Sequence, residues 1–403
     1  MSGAPVPGSE PALFEAVPNF SEGRDPALIG ALGAGPAVLD VHADPHHHRC
    51  VVTMAFAHPE RLLETLLERI ALAVEGIDLR RHAGVHPRVG AADVIPIVPL
   101  GGASMDDAVA LARELGERVW RRLRLPVYFY AEAAGGRRLA DIRAGRTPAP
   151  DLGRDPHPTA GACCIGARAP LVAYNLTYTD LDPGSVGEAA RRMRGLPGVQ
   201  ALAFALPDGR VQLSMNLTRP DRIGAARAHE EAMRLTGRRG EPELVGLCPA
   251  SAAGPGCDGG LLEARLAATA ARRASARAAA AGTEELRRLA VRLEAEAGAL
   301  AALPARQEAL LGGAERVLAL ARVLRAAGLA EPEPMAMLLV AANGLRRALT
   351  PATTVRHARR AALLERGLHD GAAVPGPTPG PPAPDLRTSA PLGSGGAEGD
   401  TGR

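Results

Sequence analysis

Lysine is absent from this 403-residue chain, and all 47 basic residues are arginine. Arginine forks onto carboxylates and does not titrate near neutral pH, so any role that a lysine might fill in a site must be met by another residue. Aromatic residues make up only 2 % and the net charge is only +3. That leaves neither the stacking platforms nor the basic surface that a nucleic-acid partner needs. No apolar run reaches the roughly 20 residues of a membrane helix. Residues 1–11 hold Pro, Gly and Ser without a basic start and apolar stretch, so they read as a flexible arm and not as a leader or anchor. The five cysteines (Cys50, Cys163, Cys164, Cys248, Cys257) are odd in number and lack paired metal-ligand spacing. They speak for a reducing compartment, and a cytoplasmic location is expected. What is present is a composition 46 % apolar and 23 % charged, enough to fill two or three ordinary cores.

The first hundred residues alternate strand and helix signals. Residues 13–17, 38–41, 51–57 and 94–98 read as strands. Asp25-Pro26 opens one helix, and residues 59–75 form another with Leu62, Leu66, Ile70 and Val74 on one stripe and Gly76 at the expected left-handed cap. The proline in the run 94–98 predicts an edge position or a bulge. From about residue 170 the same order returns: strand 171–178, helix 185–194 with Ser185 and Glu188 at capping-box spacing, strand 199–206, strand 211–217, helix 225–236, strand 244–248. Between the two passes lie a helix at 106–123 capped by Ser104, a strand at 127–130 and a Gly/Pro-rich loop through Gly161. Two such passes predict an α+β chain with two tandem ferredoxin-like α/β sandwich subdomains, at 12–169 and 170–258. The Ala/Leu/Arg/Glu-rich stretch 261–367 predicts a small all-α module, and the Pro/Gly/Ser-rich stretch 371–403 a disordered tail.

The densest polar constellation is Arg80-Arg81-His82-Ala83-Gly84-Val85-His86-Pro87-Arg88. Pro87 keeps His86 out of helical dihedrals and Gly84 frees the turn before it, so a loop holds an imidazole above a sheet. The plain alternative is a solvated, turn-forming loop. A second cluster, His46-His47-His48, could bind a metal. In an extended segment its side chains alternate in direction and cannot converge on one ion, so no metal site is expected. Arg49, next to it, suits an anionic substrate. Cys163 and Cys164 read as small buried residues, not nucleophiles.

VPNFSEGR (17–24), IDLRRHAGVHPRVGAADVIPIVPL (77–100), PVYFYAEAA (126–134), HPTAGACCIGAR (157–168) and VQLSMNLT (211–218) together resemble the glutamate formimidoyltransferase family, which in animals forms the N-terminal part of the bifunctional formimidoyltransferase-cyclodeaminase. The resemblance runs from about residue 13 to 249, in the family's order. It implies two ferredoxin-like subdomains with a folate-binding crevice between them, and His86 of the HPR motif as the catalytic residue. It further implies a folate-binding stretch around Gly153, His157, Pro158, Thr159 and Gly161, with Asn19, Arg49, Arg88, Asp93, Arg168 and Asn216 as candidates to line the crevice. The sequence departs from the family pattern at Ala83, often Lys, at Val85, usually Glu, and at His48-Arg49-Cys50, usually Asn-Arg-Thr.

The implied reaction transfers the formimidoyl group of N-formimidoyl-L-glutamate to N5 of tetrahydrofolate, in histidine degradation and one-carbon metabolism. Tetrahydrofolate would be a co-substrate, and no metal is required. A histidine whose ordinary pKa is about 6.5 can accept and return the proton near neutral pH, and the carboxylates of both substrates match forked guanidiniums. Small molecules are the expected partners, with neither nucleic acid nor membrane, and a homodimer is expected. Residues 261–367 resemble part of the cyclodeaminase bundle but lack its Gly-rich serine-bearing start, which implies a degenerate remnant whose removal after Gly260 should leave transfer intact. Four readings stand at this point: amidine transfer; formyl transfer or 5-formyltetrahydrofolate salvage at the same site; a folate-binding protein without turnover; and a metal-dependent hydrolase using His46–His48.

Overall fold

The computed structural model describes residues 10–84 and 87–351. The expected tail at 371–403, the end of the expected helical module and residues 1–9 of the expected arm lie outside them.

In chain order the first half is β1 (Ala12–Ala16), β2 (Asn19–Phe20), α1 (Pro26–Leu32), β3 (Val38–Asp44), β4 (Arg49–Phe56), α2 (Pro59–Gly76), β5 (Ala92–Gly101), α3 (Met105–Leu123), β6 (Val127–Ala131), α4 (Leu139–Arg143) and β7 (Cys163–Ala167). The second repeats the motif with β8 (Val172–Tyr178), α5 (Pro183–Met193), β9 (Val199–Ala205), β10 (Val211–Leu217), α6 (Ala225–Thr236) and β11 (Glu241–Val245). Among the described residues four helices follow: α7 (Leu262–Ala280), α8 (Glu284–Ala301), α9 (Gln307–Ala326) and α10 (Pro332–Arg347).

The duplication read from the sequence is visible in the strand order. In the second sheet it is β11-β8-β10-β9. In the first, β1 and β2 run one after the other between β4 and β5, and β3 flanks β4. Position for position the two orders are the same. The first sheet then grows past β5 by the parallel strands β7 and β6.

Local chemistry accounts for several helix starts. Asp25 caps α1 through the N–H groups of Ala27 and Leu28, and Ser104 forms a capping box with Asp107 at α3. Three expectations shift. Helix α5 starts two residues early because Asp182 takes the capping position, accepting from Gly184 and Ser185, and Pro183 then opens the helix. Gly76 is the last residue of α2 and not a left-handed cap; its place is steric, since a Cβ there would lie 2.8 Å from Leu28. Strand β5 is internal, not an edge, but the bulge expected as the alternative is present: its register against β2 skips Asp93 between Ala92 and Val94. Its Pro96 is tolerated because it sits at the seam where the antiparallel neighbour changes from β1 to β2, with only the Val17 N–H donating to its carbonyl, at 3.2 Å.

One core lies between the first sheet and α2 and α3, with Phe20, Met54, Leu66, Ile95 and Leu115 at its centre. The other joins the α5/α6 face of the second sheet to all four C-terminal helices and reaches Leu13, Leu39 and Ala55 of the first sheet. Alanines at 264, 267, 268, 271 and 274 are buried along α7 and let backbones approach closely. Glu333, at the start of α10, is 3 % exposed and accepts from the Ala57 N–H at 3.1 Å, from Arg273 at 2.6 Å and from Arg61 at 3.3 Å. The four helices are therefore packed onto the folded body, and cutting the chain after Gly260 would uncover that shared core.

Candidate functional site

The motifs that stand far apart in the sequence converge around the loop at residues 82–90. His86 and Val85 lie outside the described residues; their neighbours on both sides are described. Before the loop, the Leu79 N–H donates to the Thr159 carbonyl at 2.8 Å; after it, the Ala91 N–H donates to Ala160 at 2.9 Å and Ala162 donates to Val89 at 3.1 Å. The turn 157–161 thus holds both ends of the loop. That turn is closed on itself: His157 and Gly161 exchange backbone hydrogen bonds at 2.7 and 2.9 Å, and His157 Nδ1 accepts from the Ala160 N–H at 3.1 Å. Gly161 has φ +68°, and a Cβ there would lie 2.3 Å from the Val89 carbonyl oxygen, so only glycine permits the approach. Of the expected folate stretch, His157, Pro158, Thr159 and Gly161 belong to this turn. Gly153 does not; it packs on Trp120.

Residues 82–84 of the loop rest on the turn between β3 and β4. His48 Nδ1 bonds the Ala83 carbonyl at 3.0 Å, His82 Nε2 bonds the His48 carbonyl at 3.0 Å, and the two rings stack at 3.9 Å. A Cβ on Gly84 would lie 2.5 Å from the His47 carbonyl oxygen. Residues 46–48 are accordingly in a turn and not in the extended segment expected from sequence. Asp44 sets that turn, accepting from the His46 and His47 N–H groups and from His47 Nδ1 at 2.6 Å. Among the described residues no group of three or more His, Cys, Asp or Glu is placed to hold a metal ion. His48 has φ +50°, a region that asparagine enters more easily than most residues. Histidine is enriched there as well, so His48 keeps the backbone geometry where the family usually has Asn.

The first motif completes the frame. The Ser21 hydroxyl donates to the Gly90 carbonyl at 2.8 Å, and Glu22 Oε1 pairs with His48 Nε2 at 3.1 Å. Gly23 is compelled, because a Cβ would lie 2.3 Å from the Asp44 carbonyl oxygen.

Beside this frame lies a charged cluster. Asp93 is fully buried and accepts from Arg49 at 3.0 Å, from Arg143 at 2.7 Å and from the Val89 N–H at 2.6 Å. Arg49 also donates twice to Asn19 Oδ1, at 3.0 and 2.6 Å, and Arg88 donates to the Gly84 carbonyl at 3.0 Å and contacts the His82 ring. Burial pulls the Asp93 pKa upward, but Arg143 and Arg49 hold it below the usual carboxylate range. Burial lowers Arg49 to about 10, against the pull of Asp93; it remains a cation at neutral pH. Three guanidiniums around one carboxylate leave the cluster net positive, suited to a carboxylate ligand. His82 is pushed down to about 4 by burial, Arg88 and His48, so it is neutral at pH 7.

Sequence reading named Asn19, Arg49, Arg88 and Asp93, and the structure brings them together. It missed Arg143, which sits in no motif. A buried aspartate demands a cation, but its place in the sequence, 50 residues away, was not legible. It also missed Asp44, His47 and His48 as the seat of the loop. Arg168 stands apart from the cluster, donating to the Ala169 carbonyl beside Tyr130, and Asn216 is exposed on β10. Cys163 and Cys164 are fully buried and burial raises both thiols, which leaves them protonated and unsuited to nucleophilic roles. A cavity of about 430 Å³ between α3 and β6, lined by Arg113, Glu117, Phe129, Arg137 and Asp151, includes none of the expected site residues.

The family profile described as "Formiminotransferase domain, N-terminal subdomain" matches residues 13–168. The glutamate formimidoyltransferase of Thermoplasma acidophilum is 39 % identical over 272 residues, 60 % of this chain and 89 % of that protein. The enzyme of the same name from Streptococcus pyogenes serotype M1 is 33 % identical over 270 residues, 60 % of this chain and 90 % of that protein. Formimidoyltransferase-cyclodeaminase of Sus scrofa is 34 % identical over 275 residues, and the match spans about half of that longer protein, 51 %. The motifs that frame the loop are thus embedded in similarity that extends over nearly the full length of the two shorter relatives, and the chain belongs to the glutamate formimidoyltransferase family.

Proposed function

We propose that this chain is a glutamate formimidoyltransferase that moves the formimidoyl group of N-formimidoyl-L-glutamate to N5 of tetrahydrofolate, with His86 as general acid/base. The observation that carries the reading is the convergence of three sequence segments on one loop, its ends held by the 157–161 turn and by Ser21 and its residues 82–84 by His48, beside a net-positive arginine cluster. In the reaction, N5 attacks the amidine carbon and the tetrahedral intermediate expels the glutamate nitrogen as an amine. One group must take a proton and give it back, which an imidazole does near neutral pH. Arg49, Arg88 and Arg143 suit the carboxylates of the donor, and holding two reactants together supplies much of the acceleration. Tetrahydrofolate enters as co-substrate, and the chemistry calls for neither a metal nor a covalent enzyme intermediate. Among the described residues no helix is long and apolar enough to cross a membrane.

The test is to incubate the purified chain with both substrates and follow the folate absorbance with and without chelator. Transfer should be chelator-insensitive and should drop at least about 100-fold in His86→Ala. Undiminished turnover in that variant would remove His86 from the mechanism.

A further inference from the structure

Segments from five parts of the chain enclose a small cavity of about 190 Å³ where the C-terminal helices seat on the rest of the fold. It lies at the far end of β5 from the loop at residues 82–90. The strand runs from Ala92, next to Asp93, to Gly101, which lines the cavity; at about 3.3 Å per residue, the cavity is roughly 25 Å from the arginine cluster. Its walls on α7 and α10 fall outside residues 13–168, the part that the family profile matches. The cavity is therefore separate from the transferase site.

Leu100, Leu262, Leu266 and Val340 make the walls apolar, and Glu263, the second residue of α7, breaks that character. It is 7 % exposed, and its Oε2 accepts from the Ala250 N–H at 2.8 Å. Among the described residues no other residue donates to Oε1. Gly344 of α10, which also lines the cavity, leaves that oxygen uncovered: a Cβ there would lie 2.5 Å from Glu263 Cγ and 2.7 Å from Oε1. Burial raises the carboxyl above its usual range, and backbone N–H groups and Arg347 oppose this only in part. Glu15 of β1 is a second buried carboxyl within electrostatic reach. A carboxylate taken out of water without a cation beside it is costly, so the floor of the cavity asks for a positive group. The rim has the opposite sign. Arg347 is exposed there and commits Nη1 to Glu10 at 3.3 Å, which leaves further guanidinium donors, and the exposed Ser251 lines the same rim.

We propose that this cavity binds a free α-amino acid with a small aliphatic side chain, its ammonium on Glu263, its carboxylate at the rim on Arg347 and Ser251, and its side chain against Leu266 and Val340. A zwitterion carries both charges on one carbon, which matches a carboxylate and a guanidinium that face one small space. An amine without a carboxylate would leave Arg347 with a like charge beside it, and a carboxylate without an amine would be repelled by Glu263. The volume agrees. At roughly 30 Å³ per water it holds about six waters, or a molecule of about eight heavy atoms, whose bonded atoms sit closer together. Since its walls come from β5, α7 and α10, an occupant would also hold the helices to the body.

Calorimetry and thermal melts of the full chain with L-valine, isobutylamine and isobutyrate test this. L-Valine should bind with a Kd between about 10 μM and 1 mM, the range open to a ligand of about eight heavy atoms, and should raise the melting temperature. The amine and the acid, each with one of the two charges, should bind at least about 10-fold more weakly. Glu263→Gln keeps an oxygen for the Ala250 N–H and removes the charge, and it should weaken L-valine at least about 10-fold, the scale of a lost charge-assisted pair. Arg347→Gln, at the exposed rim, should weaken it similarly while the melting temperature of the empty chain holds, so lost binding is not mistaken for a folding defect. No binding of L-valine to the unmodified chain at about 10 mM overturns the proposal. Isobutylamine bound as tightly as L-valine also overturns it, by leaving the carboxylate without a role, and so does unchanged L-valine binding in both variants.

Discussion

Gly84→Ala is the sharpest probe of how the loop at residues 82–90 is held. The added methyl would lie 2.5 Å from the His47 carbonyl oxygen, 2.9 Å from His48 Cβ and 2.9 Å from an Arg88 nitrogen. The first of these is backbone in a turn fixed by Asp44, so it cannot move aside as a side-chain tip would. Overpacking of this kind costs about 1–3 kcal/mol. The loop is exposed at Gly84 and can relieve the clash by lifting off the 45–48 turn without unfolding the sheet below. The cost therefore falls on the docked population. At about 1.4 kcal/mol per factor of ten, kcat/KM should fall roughly 5- to 150-fold, while the melting temperature moves by less than about 2 °C. Steady-state transfer assays and a thermal melt on the same preparation read both. Undiminished kcat/KM would show that the close approach is not required for turnover. A large loss of melting temperature would show that the loop and the sheet do not separate.

Asp93→Asn should destabilise the fold by about 3 kcal/mol, because it leaves Arg49 and Arg143 buried around a neutral group; a denaturant midpoint equal to that of the unmodified chain would contradict the pairing. Glu15, 6 % exposed, has its pKa raised to about 7, chiefly by burial. The folded chain therefore keeps that proton to higher pH than the unfolded chain, and stability falls as pH rises from about 4.5 through 7. Glu15→Gln should remove this slope and raise stability at pH 8 by roughly 3 kcal/mol at most, as denaturant titrations at pH 5 and pH 8 would show; an unaltered slope would count against it. Truncation after Gly260 should abolish soluble, folded protein. It would uncover Leu13, Leu39 and Ala55 together with the rest of the shared core, at about 1.5–3 kcal/mol per large apolar side chain, against a total stability of about 5–15 kcal/mol. A truncated chain that melts cooperatively at the same temperature would refute that account.

The sequence by itself determined the two passes of strand and helix, because alternation and capping are local. Asp25-Pro26 starts a helix, and Val211, Leu213, Met215 and Leu217 alternate along a strand, whatever surrounds them. It also located the loop at residues 82–88, since a glycine and a proline restrict the backbone within their own dihedrals. Only the tertiary structure decided what holds that loop and what neutralises Asp93. The His48 turn, the 157–161 turn and Arg143 lie 35 to 80 residues along the chain from the groups they meet, and nothing in local spacing encodes which of them meet. The same reason explains the helices after Gly260. Their amphipathic pattern announced that each would bury a face, but not that the partner would be both sheets, because a hydrophobic stripe specifies burial and is indifferent to what covers it.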